Sequence, residues 1–417
     1  MLFATLLRNL IRNGHLTLID ADGRQHEIGE ASGRSVTLRL HDRRLDALLL
    51  LRPRMMVGQA FMDGRLTVEQ GTIYDFLMLA MGNMEAASAS MLAPLWNGVS
   101  WASRHLHQFN PIRRARQNVA HHYDLSGELY DLFLDADRQY SCAYFEQPDN
   151  DLDTAQANKK RHIAAKLRLK PGMKVLDIGS GWGGLALYLA RETGVDVTGL
   201  TLSTEQHKLA TERAAAAGLA DRVRFRLQDY RTETGSYDRI VSVGMFEHVG
   251  LGYYRRFFET LRDRLSEDGL ALLHAIGRRD GPGDTNPWVR KYIFPGGYAP
   301  ALSEVLPQIE RADLWVTDIE ILRLHYAETL RHWRLRFMAN RERAKALYDE
   351  RFCRMWEFYL SAAEATMRVG GQMVFQIQLS RRIEAAPVTR DYMIDWERAH
   401  RRRDDMPDRP KLLHRDD

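Results

Sequence analysis

Val175–Gly184 reads VLDIGSGWGG. A short apolar run closes on the acid Asp177, Gly179, Gly181 and Gly183 follow at alternate positions with Gly184 adjoining, and LALYLA then carries the apolar spacing of a helix. The order is strand, tight glycine turn, helix. Glycine at such a turn lets a ligand lie on the backbone, because no Cβ stands in the way and positive φ is allowed. The shape is that of an adenosine-cofactor site. Dinucleotide sites usually follow GxGxxG, set a pyrophosphate on the helix N-terminus and place an acid about 20 residues on. Here Asp177 stands two residues before the first glycine, and the next strand, VDVTGL, runs into Thr201 instead of an acid. That favours S-adenosylmethionine, whose cationic sulfonium and amino acid moiety suit a carboxylate and carry no phosphate.

Downstream, strands and helices alternate through VDVTGLTLS, EQHKLATERAAAAG, VRFRLQDY, YDRIVSVGMFEHVG, YYRRFFETLRDRLSEDG and LALLHAIG. The pattern predicts an α/β fold with a parallel, doubly wound, Rossmann-like sheet and sites at the carboxyl ends of its strands. Those ends carry Asp177 with the glycines, Thr201 to Gln206, Asp229 with Tyr230, Glu247 with His248, and His274.

Around this core, 417 residues are enough for about two domains. The first twelve residues place Phe3, Leu6, Leu7, Leu10 and Ile11 at helical spacing with Arg8 and Arg12 opposite, an amphipathic helix suited to its own domain or to a membrane surface. HLTLID and HEIG flank the hairpin signal ADGR, SVTLRL makes a third strand, and LDALLLL and TIYDFLMLAMGNM read as helices. The expectation is a small α+β domain over residues 1–110, a catalytic domain over 111–385, and a charged, disordered tail over 386–417.

The net charge of +4 lies wholly within residues 1–120, which hold 14 Lys or Arg against 10 Asp or Glu; Arg104, Arg113, Arg114 and Arg116 fall in one acid-free run. Such a run is a solvated face or a site for anionic lipid or nucleic acid. Two cysteines, Cys142 and Cys353, are too few for a disulfide framework or a zinc cluster and fit a reducing cytoplasm. No apolar run reaches the length of a spanning helix, and Arg8 and Arg12 spoil a signal peptide.

HYDLSGELY, QYSCAYFE, KVLDIGSGWGGLA, GLTLSTEQ, RIVSVGMFEHVG, LLHAIG and NPWVRKYIFPGG, in this order over about Gln117 to Ser380, resemble cyclopropane-fatty-acyl-phospholipid synthases and the related mycolic acid cyclopropane synthases. The resemblance implies a class I S-adenosylmethionine-dependent methyltransferase that adds a methylene group to the cis double bond of an unsaturated phospholipid chain, working in the cytoplasm as a peripheral membrane protein and as a homodimer. It places the cofactor against Tyr140, Ser141, Asp177, Gly179, Gly181, Gly183, Thr201, Leu202, Ser203, Gln206, Asp229 and Tyr230, with Arg231 beside them. Ser203 and Gln206 also form a capping-box pattern, which serves a helix start equally well.

An alkene is a weak nucleophile, so such a reaction is chiefly a matter of holding the sulfonium in line with it. The resulting cation calls for aromatic faces, each worth up to about 2 kcal/mol when desolvated; Tyr123, Tyr140, Tyr144, Phe145, Tyr292, Phe294 and Tyr326 are available. Ring closure needs a base, which the resemblance gives as a bound bicarbonate held by Cys142, Glu247, His274, Ile276 and Tyr326. Cys142 and Ile276 would offer backbone groups, while Glu247, His274 and Tyr326 would fix and polarise the anion. Taken alone, Glu247 also suits a helix start and His274 a core position. Ala363 stands where some relatives carry a cysteine once considered a nucleophile, and Ser180 replaces a cysteine common in the glycine turn.

Two other products of the same chemistry, a methylene or a methyl branch, remain open from the residues. A nucleic-acid methyltransferase is disfavoured, because GMFEHVG stands where an NPPY-like loop or a nucleophilic cysteine belongs, and no nucleic-acid partner or metal is expected. A silent lipid-binding protein would not need Glu247 or the glycines.

Overall fold

The computed structural model describes residues 1–30, 35–87 and 126–404. Tyr123, the arginine-rich run with the linker before it, and the last residues of the tail lie outside the described residues. The chain packs as two compact units, one of Met1–Arg104, Gly283–Pro295 and Ala327–Gln372, the other of His105–Pro282, Gly296–Tyr326 and Met373–Asp417.

In the first unit β1 (His15–Ile19), β2 (Gln25–Gly29), β3 (Ser35–Leu40) and β4 (Leu66–Gln70) form a sheet in the order β2-β1-β3-β4. The β1–β2 pair is the hairpin expected around ADGR, and β3 runs parallel to β1 on its other side. The helix Leu2–Leu10 buries Phe3, Ala4 and Leu7 and leaves Leu2 and Leu6 exposed. Two stretches inside the span expected to be catalytic, 283–295 and 327–372, pack in this unit instead. The reason is apolar anchoring. Trp288 in the helix Pro287–Tyr292 packs edge-on to Phe358 at 4.7 Å and donates its Nε1–H to Met62 Sδ at 3.1 Å.

The second unit is built on β5 (Lys174–Ile178), β6 (Asp196–Thr201), β7 (Val223–Leu227), β8 (Tyr237–Val243), β9 (Leu265–Arg278), β10 (Trp315–Ile321) and β11 (Gln372–Ser380), in the order β10-β11-β9-β8-β5-β6-β7. β5 pairs in parallel with both β6 and β8, β6 with β7, and β8 with β9, whereas β10 and β11 are antiparallel. The sheet is therefore mixed at one edge, where β10 was not legible. Leu176 and Ile178 enter one apolar cluster with Phe246, Phe257 and Ile377, while Val175 enters another with Leu187, Leu189 and Val241. Alternation along β5 sends these sets to opposite faces, as a sheet covered on both sides requires. Strand order reverses between β5 and β8, and ligands of such sheets bind at that switch point.

The tail expected to be disordered begins instead with a helix, Asp391–Asp404. Its composition reads as solvated, yet Met393 is buried and Trp396 packs on the Val175 cluster. Tyr392 accepts from Gln378 Nε2 at 2.9 Å, and Glu397 Oε1 meets His162 Nδ1 at 2.6 Å. Among the described residues no helix is long and apolar enough to cross a membrane.

Candidate active site

At the carboxyl end of β5 the chain turns through Gly179, Gly181 and Gly183, with φ of 85°, 55° and 84°. Gly183 precedes the helix Gly184–Thr193, and a Cβ there would stand 2.6 Å from Phe225 Cζ, so it serves packing. A Cβ on Gly181 would meet nothing within 4 Å. It would project into a cleft of about 1230 Å³, part of it open to solvent, that Gly181 lines.

Gly179 and Asp177 line this cleft from β5, Thr201, Leu202 and Gln206 from the turn after β6, and Asp229 and Tyr230 from the turn after β7. Tyr140 and Ser141 close it from the segment before the sheet. Gly183 and Ser203 are not among the lining residues. Ser203 caps the helix Thr204–Ala216 by accepting from Gln206 N at 3.3 Å, but the reciprocal bond of a capping box is not made. Gln206 Oε1 instead accepts from Thr201 Oγ1 at 2.9 Å, which fixes both side chains at the cleft wall. Asp229 is engaged within the protein: Oδ1 accepts from Arg231 N at 2.9 Å and Nε at 2.8 Å, and Oδ2 from Nη2 at 2.7 Å.

Asp177 is 2% exposed, and among the described residues its Oδ2 has no hydrogen-bond partner. Burial pushes its carboxyl up to about 7, and the Lys159 ammonium pulls the other way. An orphaned carboxylate oxygen beside an open glycine turn fits a cationic ligand, whose charge would draw the proton off.

A second cluster adjoins the cleft beyond β8. Met245 and His248 line the cleft, and between them Glu247 is buried in the short turn Phe246–His248. Glu247 Oε1 accepts from Ile276 N at 2.6 Å, and Oε2 is buried with no hydrogen-bond partner among the described residues. Burial raises this carboxyl to about 7 despite the Ile276 N–H. The Ile276 N–H expected to meet an anion is thus spent on Glu247. His274, two residues back on β9 and so on the same strand face, receives the Gln376 amide at Nδ1 over 3.1 Å. Burial holds the ring neutral, well below the usual histidine range.

Cys142 is buried with its thiol toward the Ala143 carbonyl at 3.3 Å. Tyr326 is buried in the first turn of the helix His325–Ala339, whose neighbouring His325 Nδ1 accepts from Phe145 N at 3.0 Å. Tyr144 stacks on His162 at 4.2 Å and on His325 at 4.6 Å. Two rings at those distances cannot share one face, so neither face of Tyr144 is open to a cation. Among the described residues no three His, Cys, Asp or Glu side chains stand together as metal ligands would.

A family model described as mycolic acid cyclopropane synthetase matches residues 111–377. The chain belongs to that family. It is 42% identical over 263 residues to the cyclopropane-fatty-acyl-phospholipid synthase of Escherichia coli K12, covering 63% of this chain and 67% of that one. To a probable fatty acid methyltransferase of Pseudomonas putida it is 37% identical over 364 residues, covering 85% and 89%. The solved mycolic acid cyclopropane synthase CmaA1 of the complex with SAH and CTAB superposes with a TM-score of 0.61 at 34% identity, over 65% of this chain and 99% of that one. This member of the mycolic acid cyclopropane synthetase family is a class I S-adenosylmethionine-dependent methyltransferase.

Several residues of this synthetase-family cleft were not read from sequence: Arg138, Gln139, Gln228 and Met245 line it, and Lys159 lies behind it. Gln139 and Arg138 directly precede the recognised Tyr140, which was a usable signal. Lys159 had none, since AQANKKRHIAAK looks like a solvated helix face.

Proposed function

We propose that this chain converts the cis double bond of an unsaturated phospholipid acyl chain into a cyclopropane ring at a membrane surface. When bound, S-adenosylmethionine supplies the methyl group. Asp177, with its unpartnered Oδ2, holds the cationic end of the cofactor, and Thr201 with Gln206 receives neutral hydroxyl groups. Gly181 leaves room for the ligand against the backbone.

The observation that carries the ring-forming reading is Glu247. A buried carboxylate with one oxygen fixed and the other unpartnered, near neutrality, suits a partner that must both be held and lose or gain a proton. Bicarbonate fits: its hydroxyl would donate to Glu247 Oε2, and its oxygens would accept from His274 Nε2–H and the Tyr326 hydroxyl. In that place it would supply the base for ring closure. Exposed Leu2 and Leu6 on the first helix, with exposed Leu50 and Leu51, support contact of the first unit with lipid.

Incubation with vesicles of cis-unsaturated phospholipid and labelled S-adenosylmethionine tests the reading. Label must enter the acyl chains as a ring, and turnover must fall in bicarbonate-depleted buffer and return when bicarbonate is added. Similarity to a probable fatty acid methyltransferase of Pseudomonas putida keeps a second product in view, a methyl or methylene branch. Mild hydrogenation of the product chains separates the two, because an exocyclic alkene is reduced and a ring behaves differently.

A further inference from the structure

Along β11, Gln376, Gln378 and Ser380 alternate with Phe375, Ile377 and Leu379. The apolar set enters the Phe246 cluster, and the polar set has the composition of a solvent-facing side. The fold buries it instead: Gln376 and Ser380 are fully buried and Gln378 is 1% exposed. Buried polar groups need partners. Gln378 uses both ends of its amide, donating to the Lys166 carbonyl at 2.5 Å and to Tyr392 Oη at 2.9 Å and accepting from Thr317 Oγ1 at 2.7 Å. Ser380 donates to the Arg382 carbonyl at 2.8 Å.

Gln376 differs from both. Its Nε2 lies 3.1 Å from His274 Nδ1, and its Oε1 is buried with no hydrogen-bond partner among the described residues. Among those residues no other hydrogen bond reaches the His274 ring. An apolar side chain of the same length would fill the place without an orphaned oxygen, so what the amide adds there is its hold on His274. An amide can donate or accept, so it holds Nδ1 whichever tautomer the ring takes. The contact has a counterpart in the same site. The Ile276 N–H fixes Glu247 Oε1 and leaves Oε2 unpartnered; Gln376 fixes His274 Nδ1 and leaves the other ring nitrogen, Nε2, without a hydrogen bond among the described residues.

We propose that Gln376 is a positioning residue: its side-chain amide fixes the His274 ring through Nδ1 and so holds Nε2 for the anion. The inference rests on the reading of His274 as an anion-holding residue, and it holds for a ring or a branch as product.

The test compares full-length wild type, Gln376→Leu, His274→Asn and the double variant. Turnover is measured on cis-unsaturated phospholipid vesicles over a range of bicarbonate concentrations, S-adenosylmethionine affinity by calorimetry, and the ring 15N resonances of His274 in the ligand-free protein, assigned by their loss in His274→Asn. In Gln376→Leu turnover should fall about tenfold or more, the half-maximal bicarbonate concentration should rise, and cofactor affinity should stay within about twofold. Added to His274→Asn, the same substitution should cost less than about twofold further, because the two residues act as one unit. The His274 resonances should move from their wild-type positions in Gln376→Leu.

Wild-type turnover in folded Gln376→Leu beside an impaired His274→Asn overturns the proposal and leaves the reading of His274 standing. Unmoved His274 resonances, or losses that multiply in the double variant, overturn it equally, since they mark a role in packing alone. Wild-type turnover in His274→Asn overturns the reading and the proposal with it. Should Gln376→Leu fail to fold, Gln376→Met takes its place, with the same outcomes deciding.

Discussion

Glu247 and Ile276 meet where β8 and β9 end: the Ile276 N–H donates to Glu247 Oε1 at 2.6 Å, while Oε2 of the same carboxylate stays buried and unpartnered. One oxygen is fixed in orientation, and in the proposed reaction the other meets the bound anion.

Glu247→Gln keeps the shape and the Ile276 bond but cannot exchange a proton. Cofactor affinity should stay within about twofold, and turnover should fall by about a hundredfold or more, the usual size of a general acid–base contribution. Steady-state kinetics beside calorimetry check the split.

The same variant reports on stability. Burial raises the folded-state Glu247 carboxyl from 4.5 to about 7. A raised folded value means a contribution fully present below pH ~4.5 and lost as pH climbs through ~7, about 3 kcal/mol in all. Glu247→Gln should therefore gain stability over wild type between pH 5.5 and pH 8, read by denaturant unfolding at both.

Gly181 and Gly183 should fail in different ways. Gly183→Ala forces a Cβ to 2.6 Å from Phe225 Cζ at a φ of 84°, so its melting temperature should drop by several degrees. Gly181→Ala carries the φ strain alone and points into open cleft, so cofactor affinity should suffer more than stability. Thermal melts and calorimetry on both variants decide this.

His162 lies between Glu320 at 2.7 Å and Glu397 at 2.6 Å, with Lys166 also on Glu320. Burial would lower its pKa, but the two carboxylates overcome that and raise it above 6.5. The stabilisation is fully present below the unfolded value and lost as pH rises through the folded one. Glu397→Gln should consequently cost more melting temperature at pH 6 than at pH 9, with hydrogen exchange in Asp391–Asp404 rising most at the lower pH.

The glycine turn, its flanking strands and the cleft residues after β6 and β7 were legible because each is a contiguous signal: an apolar run, a turn, a cap. Glu247 and His274 were found as strand-end residues, yet nothing in the sequence marked that the Ile276 N–H would be used by Glu247. Lys159 and His162 were missed for a physical reason. Charge reads as exposure, and here the neutral oxygens of Gln139 and Ser141 hold Lys159 while Glu320 of β10 and Glu397 of the last helix hold His162. The same compensation turned a tail that looked disordered into a packed helix. Nor could a linear reading divide the units, since Trp288 and Phe358 join residues near 60 across more than two hundred positions.

In the proposed reaction a proton leaves the transferred methyl group under the control of Glu247. Supplying S-adenosylmethionine with a trideuterated methyl group to the protein on cis-unsaturated phospholipid vesicles, then weighing the product chains by mass spectrometry, measures it directly. The expected product chains gain one carbon with two deuterons, the third passing to water, and almost none of this product forms with Glu247→Gln. Chains that keep all three deuterons, or equal product from the variant, would contradict it.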